Sequence, residues 1–524
     1  MAKKEKKEKK LEETLWDACC KLRGNMTSIE YMSFTLGLVF LKFASLKFEA
    51  RREELLNSED KDFVEFQSFY TEKGVFFVPE KARYSYIKAH AKDNDIGITI
   101  DTAFKLIEDE NPALKGCLPI GKYGSATSSI PADKFQALIT TLDGIHTDEK
   151  HPMDDLVGRV YEYFLNKFAI QSANEKGEFY TPDSIVSLIT ELIEPYDGTI
   201  YDPCCGTGGM FVQSYKFVEA HKGNTKNVSI YGQESIADTW KLAKMNLAIR
   251  GISCDLGKQW ADTFADDQHK TKKFDYIIAN PPFNLKNWRT ENALLQDPRW
   301  KEKNYDVPPV SNANYAWILH MLSKLSVNGV AGFLLANGAL GADGVEKNIR
   351  AKLIENDKIE AIIILPREMF YYTDISVTLW IMRNNKNATT KVVNGENRRL
   401  RDRSGEILFM DLRTKGDYSE EGYKVLKPEE VKLVRDTYFN WQDARKDELY
   451  ADVPEFCKSV KTKDIIDGSL VPSKYIEFVD HDLEIDYDKE MARIQSEMKE
   501  LLKEEKISQE ELVNAFKGIG YGIE

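Results

Sequence analysis

With 524 residues the chain is too long for one hydrophobic core, and two or three domains are expected. Its formal charge of −13 is the wrong sign for a protein that grips nucleic acid unaided by neutralising phosphates, so either the substrate is not nucleic acid or another subunit supplies the grip. Seven cysteines, with Cys19-Cys20 and Cys204-Cys205 as neighbours and no C-x-x-C pair, imply neither a disulfide framework nor a zinc site, and the seven histidines show no ligand spacing, so no metal is expected.

Residues 1–10 are a Lys/Glu run with the composition of a disordered tail. Segments 11–55, 98–110, 131–143 and 154–169 carry helical spacing, which predicts a helical amino-terminal domain over 11–150. Within it, residues 31–41 are strongly apolar but bracketed by Glu30 and Lys42; eleven residues cannot span a bilayer, and the stretch reads as a buried helix. No other segment resembles a membrane span or a signal peptide, so no membrane association and a cytoplasmic location are expected. From 182 the pattern alternates: helix-like 182–194, then strands near 199–202, 228–233, 274–279, 330–336, 359–365 and 376–382 with helices between. That predicts an α/β domain over 151–385 with a largely parallel sheet covered on both faces.

The motifs fall at the strand ends. Asp202-Pro203-Cys204-Cys205-Gly206-Thr207-Gly208-Gly209-Met210 is a strand, glycine-rich turn, helix unit of the kind that lets a ligand approach the backbone closely. It is not a dinucleotide G-x-G-x-x-G, because the third position is Phe211, and it lacks the Gly-Lys-Ser/Thr of a P-loop. Asp202 before the glycines favours a cationic ligand. Glu234 ends the next strand, where a carboxylate can accept both ribose hydroxyls of a nucleoside, and Asp262 is placed to accept from an adenine amino group; taken singly, each acid also reads as a solvated loop residue. Asn280-Pro281-Pro282-Phe283 then leaves the apolar run 274–279. Two prolines cannot continue a central strand, so the chain departs with φ fixed. The Asn280 side-chain oxygen and the Asn280 and Pro281 carbonyls form a cluster of acceptors for a planar amine, and the Phe283 ring is a stacking platform. Alone, the tetrapeptide reads equally as a turn; its place after the glycine turn and two acids gives it chemistry.

In these residues the chain resembles the amino-methyltransferases that use S-adenosylmethionine, and within them the modification subunits of type I restriction-modification systems. Gly177-Glu178-Phe179-Tyr180-Thr181-Pro182, Gly232-Gln233-Glu234, Asn312-Ala313-Asn314-Tyr315-Ala316-Trp317, Gly332 to Gly338 and Leu365-Pro366-Arg367-Glu368-Met369-Phe370 extend the likeness, and Leu11 to Trp16 is similar to the family's amino-terminal domain. The resemblance implies a Rossmann-like methyltransferase sheet with a helical amino-terminal domain and a helical carboxyl-terminal extension. It implies a DNA adenine N6-methyltransferase that flips its target base, with Asn280, Pro281, Pro282 and Phe283 catalytic and Phe283 and Phe370 stacking on the base. Cofactor binding would fall to Phe179, Tyr180, Thr181, Asp202, Gly206, Thr207, Gly208, Gly209, Glu234 and Asp262. Phe179 is the choice for the aromatic beside the sulfonium, and Phe370 also reads as an ordinary core residue. The partners implied are DNA, a DNA-specificity subunit held by two copies of this chain, and a motor-nuclease restriction subunit. Competing readings are methylation of cytosine, an RNA base or a protein glutamine, and a non-catalytic scaffold.

Residues 284–312 form a long connection without clear period, expected to order near DNA or a partner. Lys286, Arg289, Arg299, Lys301 and Lys303 there make either a basic strip or a solvated charged face. Residues 385–404 read as a loop, and 386–524 as a carboxyl-terminal region ending in helices for subunit assembly. Met491, Ile494, Met498, Leu501 and Leu502 share one helical face, and Ser508 with Glu511 reads as the capping box of a last helix.

Overall fold

The computed structural model describes residue 16 and residues 28–124, 132–143, 160–165, 167, 181–221, 223–370, 374–393, 395–419, 422–479 and 487–518. The apolar strand runs assemble as nine strands in one sheet. These are β1 (Gly198–Asp202), β2 (Val228–Gly232), β3 (Cys254–Asp255), β4 (Phe274–Ala279), β5 (Leu325–Ala336), β6 (Ile359–Ile364) and β7 (Val377–Arg383), followed after the hairpin β8 (Thr389–Val393) and β9 (Glu396–Leu400) by β10 (Glu406–Asp411). A short hairpin, β11 (Asp417–Tyr418) with β12 (Lys424–Val425), precedes the last strand, β13 (Cys457–Lys461). The order across the sheet is β13-β10-β6-β7-β5-β4-β1-β2-β3. Strands β3, β2, β1, β4 and β5 run parallel, β7 is antiparallel to both β5 and β6, and β10 is parallel to β6.

Helices cover both faces because the central strands are apolar on both sides; every residue of β6 and β7 is buried. One core joins the helices Asp183–Ile193, Gly209–Ala220 and Pro428–Gln442 to the sheet. The other seats Asn314–Lys324, Val345–Glu355 and the tryptophans Trp288 and Trp300 on the opposite face. A third core belongs to the amino-terminal helices, chiefly Ser28–Leu56 and Ile96–Glu110, and takes in Leu242, Met245 and Ile249 from the helix Ala237–Ile249, so the helical body docks on the sheet domain through that helix. The apolar stretch 31–41 lies within Ser28–Leu56 and is buried from Phe34 onward. Among the described residues no helix is long and apolar enough to cross a membrane.

Beyond residue 385 the structure departs from the expectations. The sheet does not end there, since β10 and β13 extend it to Lys461. The stretch 385–404 is not an irregular loop but carries the β8–β9 hairpin, pinned by Arg398, whose guanidinium binds Glu194 in two hydrogen bonds of 2.8 and 3.0 Å. Ser508 and Glu511 cap nothing: both lie inside one continuous helix, Tyr487–Gly518, because no Gly or Pro breaks it. That helix belongs to a separate compact unit, residues 477–524.

A buried charge cluster ties β6, β7 and β10 at the edge of the sheet opposite the strand tips discussed below. Glu360 on β6 accepts from Arg403 Nε and Gln442 Nε2, each at 2.8 Å, and pairs with Arg383. Burial alone would raise the Glu360 carboxyl, but Arg383 and Arg403 outweigh it and hold it well below the usual carboxylate range. Glu360→Ala would strand two buried guanidinium groups and is expected to cost about 3–5 kcal/mol in equilibrium unfolding. The wild-type contribution should be complete above the ordinary glutamate range and fade as pH falls below about 4; a loss under about 1 kcal/mol would remove the cluster from the forces that hold the sheet.

Candidate active site

Strand β1 lies between β2 and β4, and the chain fills the sheet outward from β1 through β2 to β3 before returning to β4 on the other side. This is the topological switch point, where loops leaving adjacent parallel strands part and open a crevice at the carboxyl ends. Asp202 to Gly209 leaves β1 at that point, and Asn280 to Phe283 leaves β4 beside it. Motifs 78 residues apart in sequence (202 to 280) thus come from neighbouring strands.

The β1 turn is set by its own backbone needs. Gly206 and Gly208 adopt φ of +53° and +80°, and a Cβ at 206 would project into open space while one at 208 would touch Leu247. The turn is stitched to the tip of β2: Gln233 N–H donates to Asp202 O (3.0 Å), Cys205 N–H to Gln233 O (2.9 Å), and Gly206 N–H to Glu234 Oε2 (3.0 Å). Gly232 is small for a packing reason, since a Cβ there would lie 2.8 Å from Leu256 and 3.0 Å from the Phe211 ring. Thr207 O accepts from the buried Asn246 side chain, and Gly209 opens the helix Gly209–Ala220.

Asp202 is buried, and Cys204 N–H donates to its Oδ1 at 2.9 Å. Burial pushes its carboxyl up to about 7; the Cys204 hydrogen bonds oppose this and the charge of Glu234 reinforces it. The same burial, with Asp202 nearby, raises the Cys204 and Cys205 thiols far above their ordinary range, so both are inert as nucleophiles. Glu234 is more committed to the protein than the sequence implied: besides Gly206, it accepts from Ile236 N–H (2.8 Å) and the Ser235 hydroxyl (3.3 Å) through Oε1. Asp262 is exposed, and its Oδ1 accepts from Phe264 and Ala265 N–H at 2.8 and 2.9 Å, closing its own turn. The turn is nonetheless anchored at the crevice, through Thr263 Oγ1 to Pro203 O (2.5 Å) and Ala261 N–H to Glu234 O (2.9 Å).

At the β4 tip, Asn280 Nδ2 donates to Thr181 Oγ1 at 2.9 Å. Its other amide atom, Oδ1, is buried and has no hydrogen-bond partner among the described residues. An unmatched buried acceptor costs about 1–3 kcal/mol, and such groups persist where a ligand completes them. Thr181 therefore orients the Asn280 amide, a contact that sequence reading, which gave Thr181 to the cofactor, did not find; the two residues are 99 apart and no local pattern links them. Its hydroxyl keeps a donor for a second partner. Pro281 is buried, Pro282 exposed and Phe283 half-buried. Phe370 stands edge-on to Phe283, ring centroids 6.1 Å apart at 89°. At 2% exposure, Phe370 lies in the core and braces Phe283, in keeping with the reading of it as an ordinary core residue. Phe179 and Tyr180 lie outside the described residues.

The long connection after the tetrad packs on the sheet domain, with Trp288, Trp300 and Tyr305 in its core. Trp300 is fully buried, and Trp288 Nε1–H donates to Pro309 O (2.8 Å). Of the five basic residues that read as either a basic strip or a solvated charged face, two turn to the protein: Arg299 binds Asp297 (2.7 Å) and the Thr263 and Phe264 carbonyls (3.1 and 2.6 Å), and Arg289 binds the Glu291 and Pro308 carbonyls (2.8 and 3.0 Å). These guanidinium groups fasten the loop. Among the described residues no group of His, Cys, Asp and Glu is arranged to hold a metal ion.

A seven-stranded core in the order β3-β2-β1-β4-β5-β7-β6, with β7 reversed, a glycine turn after β1 and acceptors after β4, defines the S-adenosylmethionine-dependent methyltransferase class of fold. Residues 152–482 match the N-6 DNA Methylase family and residues 11–142 match the HsdM N-terminal domain. The chain is 37% identical over 443 residues to the type I restriction enzyme HindI methylase subunit of Haemophilus influenzae, spanning 82% of this chain and 94% of that protein. It is 33% identical over 529 residues to the MjaIX methylase subunit of Methanocaldococcus jannaschii, spanning 97% and 91%. Among solved structures, the type I restriction-modification methyltransferase subunit from Streptococcus thermophilus superposes with a TM-score of 0.72 at 22% identity, covering 89% of this chain and 99% of that one. The chain belongs to the N-6 DNA methylase family, as a methylase subunit of the type I restriction-modification kind.

Proposed function

We infer that the chain transfers a methyl group from S-adenosylmethionine to the N6 amino group of an adenine flipped out of DNA. The observation that carries this reading is the buried, unpartnered Asn280 Oδ1, held by Thr181, next to the Phe283 ring and across the switch point from Asp202 and its glycines. Asn280 Oδ1 and the Pro281 carbonyl accept the two amine hydrogens, localising a lone pair that would otherwise be delocalised into the base. These acceptors favour the tetrahedral nitrogen of the transition state over the planar ground state. Phe283 supplies the stacking face, and a base still paired in a duplex cannot reach it, which requires flipping. No general base is needed beforehand, because the proton leaves an ammonium product.

S-adenosylmethionine, when bound, supplies the electrophilic methyl. The residues fit it: the open backbone at Gly206 admits the ligand, Asp202 would pair with its ammonium, Glu234 would accept from the ribose, and Asp262 is at hand for the adenine. In the quaternary assembly, the helix Tyr487–Gly518 exposes Met491, Ile494, Met498, Leu501 and Leu502 along one face, a surface suited to helices of a partner. Together with the charge of −13 this supports a complex in which two copies of this chain flank a DNA-specificity subunit and a motor-nuclease subunit joins them.

Co-purification with its specificity subunit, then labelled methyl transfer to genomic DNA and base analysis by mass spectrometry, should yield N6-methyladenine; N4-methylcytosine or label in RNA or protein would replace this reading. A second expectation concerns pH. Asp202 must be ionised to hold a cation, and its carboxyl titrates near 7, so S-adenosylmethionine affinity should rise with pH between about 6 and 7.5, approaching about tenfold per unit at the acid end. Asp202→Asn should bind weakly with a flat profile, and a flat wild-type profile would remove Asp202 from the ammonium site.

A further inference from the structure

Phe283 is followed by Asn284, a residue with φ of +54° in the left-handed region that few side chains other than Asn tolerate. Asn314 grips this residue at two points: its Oδ1 accepts from Asn284 N–H at 3.0 Å, and its Nδ2 donates to Asn284 Oδ1 at 2.9 Å. Asn312 Nδ2 adds a third contact to the same Oδ1 at 3.3 Å, and Asn312 Oδ1 in turn accepts from Asn314 N–H at 2.9 Å. Asn314 is 1% exposed and opens the helix Asn314–Lys324, which is buried against the sheet, so the grip is anchored on a rigid element. The prolines fix φ at 281 and 282, leaving the torsions around 283 and 284 to set the plane of the Phe283 ring. The segment 285–312 begins and ends at this clamp.

We propose that Asn284, Asn312 and Asn314 form a positioning clamp that holds residue 284 left-handed and thereby sets the Phe283 ring against the target base. The clamp rests on the base-stacking role given to Phe283 above. It acts through Phe283 and touches neither cofactor nor reacting atoms. A ring displaced by about 1 Å misaligns the amine with the methyl, which is worth about a hundredfold in rate.

The test uses the complex with its specificity subunit and three variants. Asn284→Ala, which disfavours positive φ and removes the acceptor, should lower kcat for DNA methylation about tenfold or more while the complex stays folded and its S-adenosylmethionine affinity is unchanged. Asn284→Gly, which adopts positive φ freely and keeps its N–H for Asn314, should recover most of that kcat. Asn314→Ala should resemble Asn284→Ala. Wild-type kcat in Asn284→Ala, or no recovery in Asn284→Gly, would overturn the clamp while leaving the methyltransferase reading intact. A wild-type complex that places no methyl on adenine would sink both.

Discussion

The strand order at β1 is the constraint on which the rest depends. Because β2 and β3 lie to one side of β1 and β4 to the other, the chains leaving β1 and β4 diverge: the helix Gly209–Ala220 joins the core on one face, while the segment with Trp288, Trp300 and the helix Asn314–Lys324 joins the opposite face. The crevice between them needs no dedicated architecture. On the proposed function, Asp202 with its glycines on one lip and residues 280–283 on the other would bring two substrates together, making the approach of nucleophile to electrophile a matter of orientation.

Both lips are held by groups from other elements, so the reacting atoms carry polar atoms that the fold leaves unmatched. Glu234 on β2 braces the Gly206 backbone, and Thr181 takes one half of the Asn280 amide and leaves the other half bare. Burial of Asp202 stores a related imbalance, a carboxyl pushed up to about 7 by its surroundings that a cationic ligand would relieve. Such costs are supported by a sheet with two apolar faces and by the Glu360 cluster at its far edge.

Legibility in the sequence followed locality. Six of the seven strands from 198 to 383 were readable because each carries an apolar run closed by turn residues, whereas β3, only Cys254–Asp255, is too short to carry a pattern; the strand-end motifs were readable because each is contiguous. What was missed depends on long-range partners. The hairpin at 389–400 looked like loop because it is charged, yet Arg398 is matched by Glu194, 204 residues away. Strands β10 and β13 sit on the sheet's far side, where only pairing, β10 with β6 and β13 with β10, identifies them. In the site, Asp202 with its glycines and Glu234 follow the tips of β1 and β2, as the contiguous motifs suggest, whereas Asp262 lies in a turn seven residues beyond β3; the contact of Thr181 with Asn280 and the bracing of Phe283 by a buried Phe370 come from packing alone. The capping-box reading at Ser508 failed because a local motif cannot interrupt a helix whose flanks both favour helix.

The central claim is that the bare Asn280 oxygen is the group that takes the amine. The most direct measurement is single-turnover methyl transfer by Asn280→Ala in the assembled complex, alongside calorimetric titration of S-adenosylmethionine. Transfer should fall by about a hundred- to a thousandfold, the range for removing one transition-state acceptor or donor, with cofactor affinity unchanged. Near wild-type transfer with intact cofactor binding would contradict the assignment.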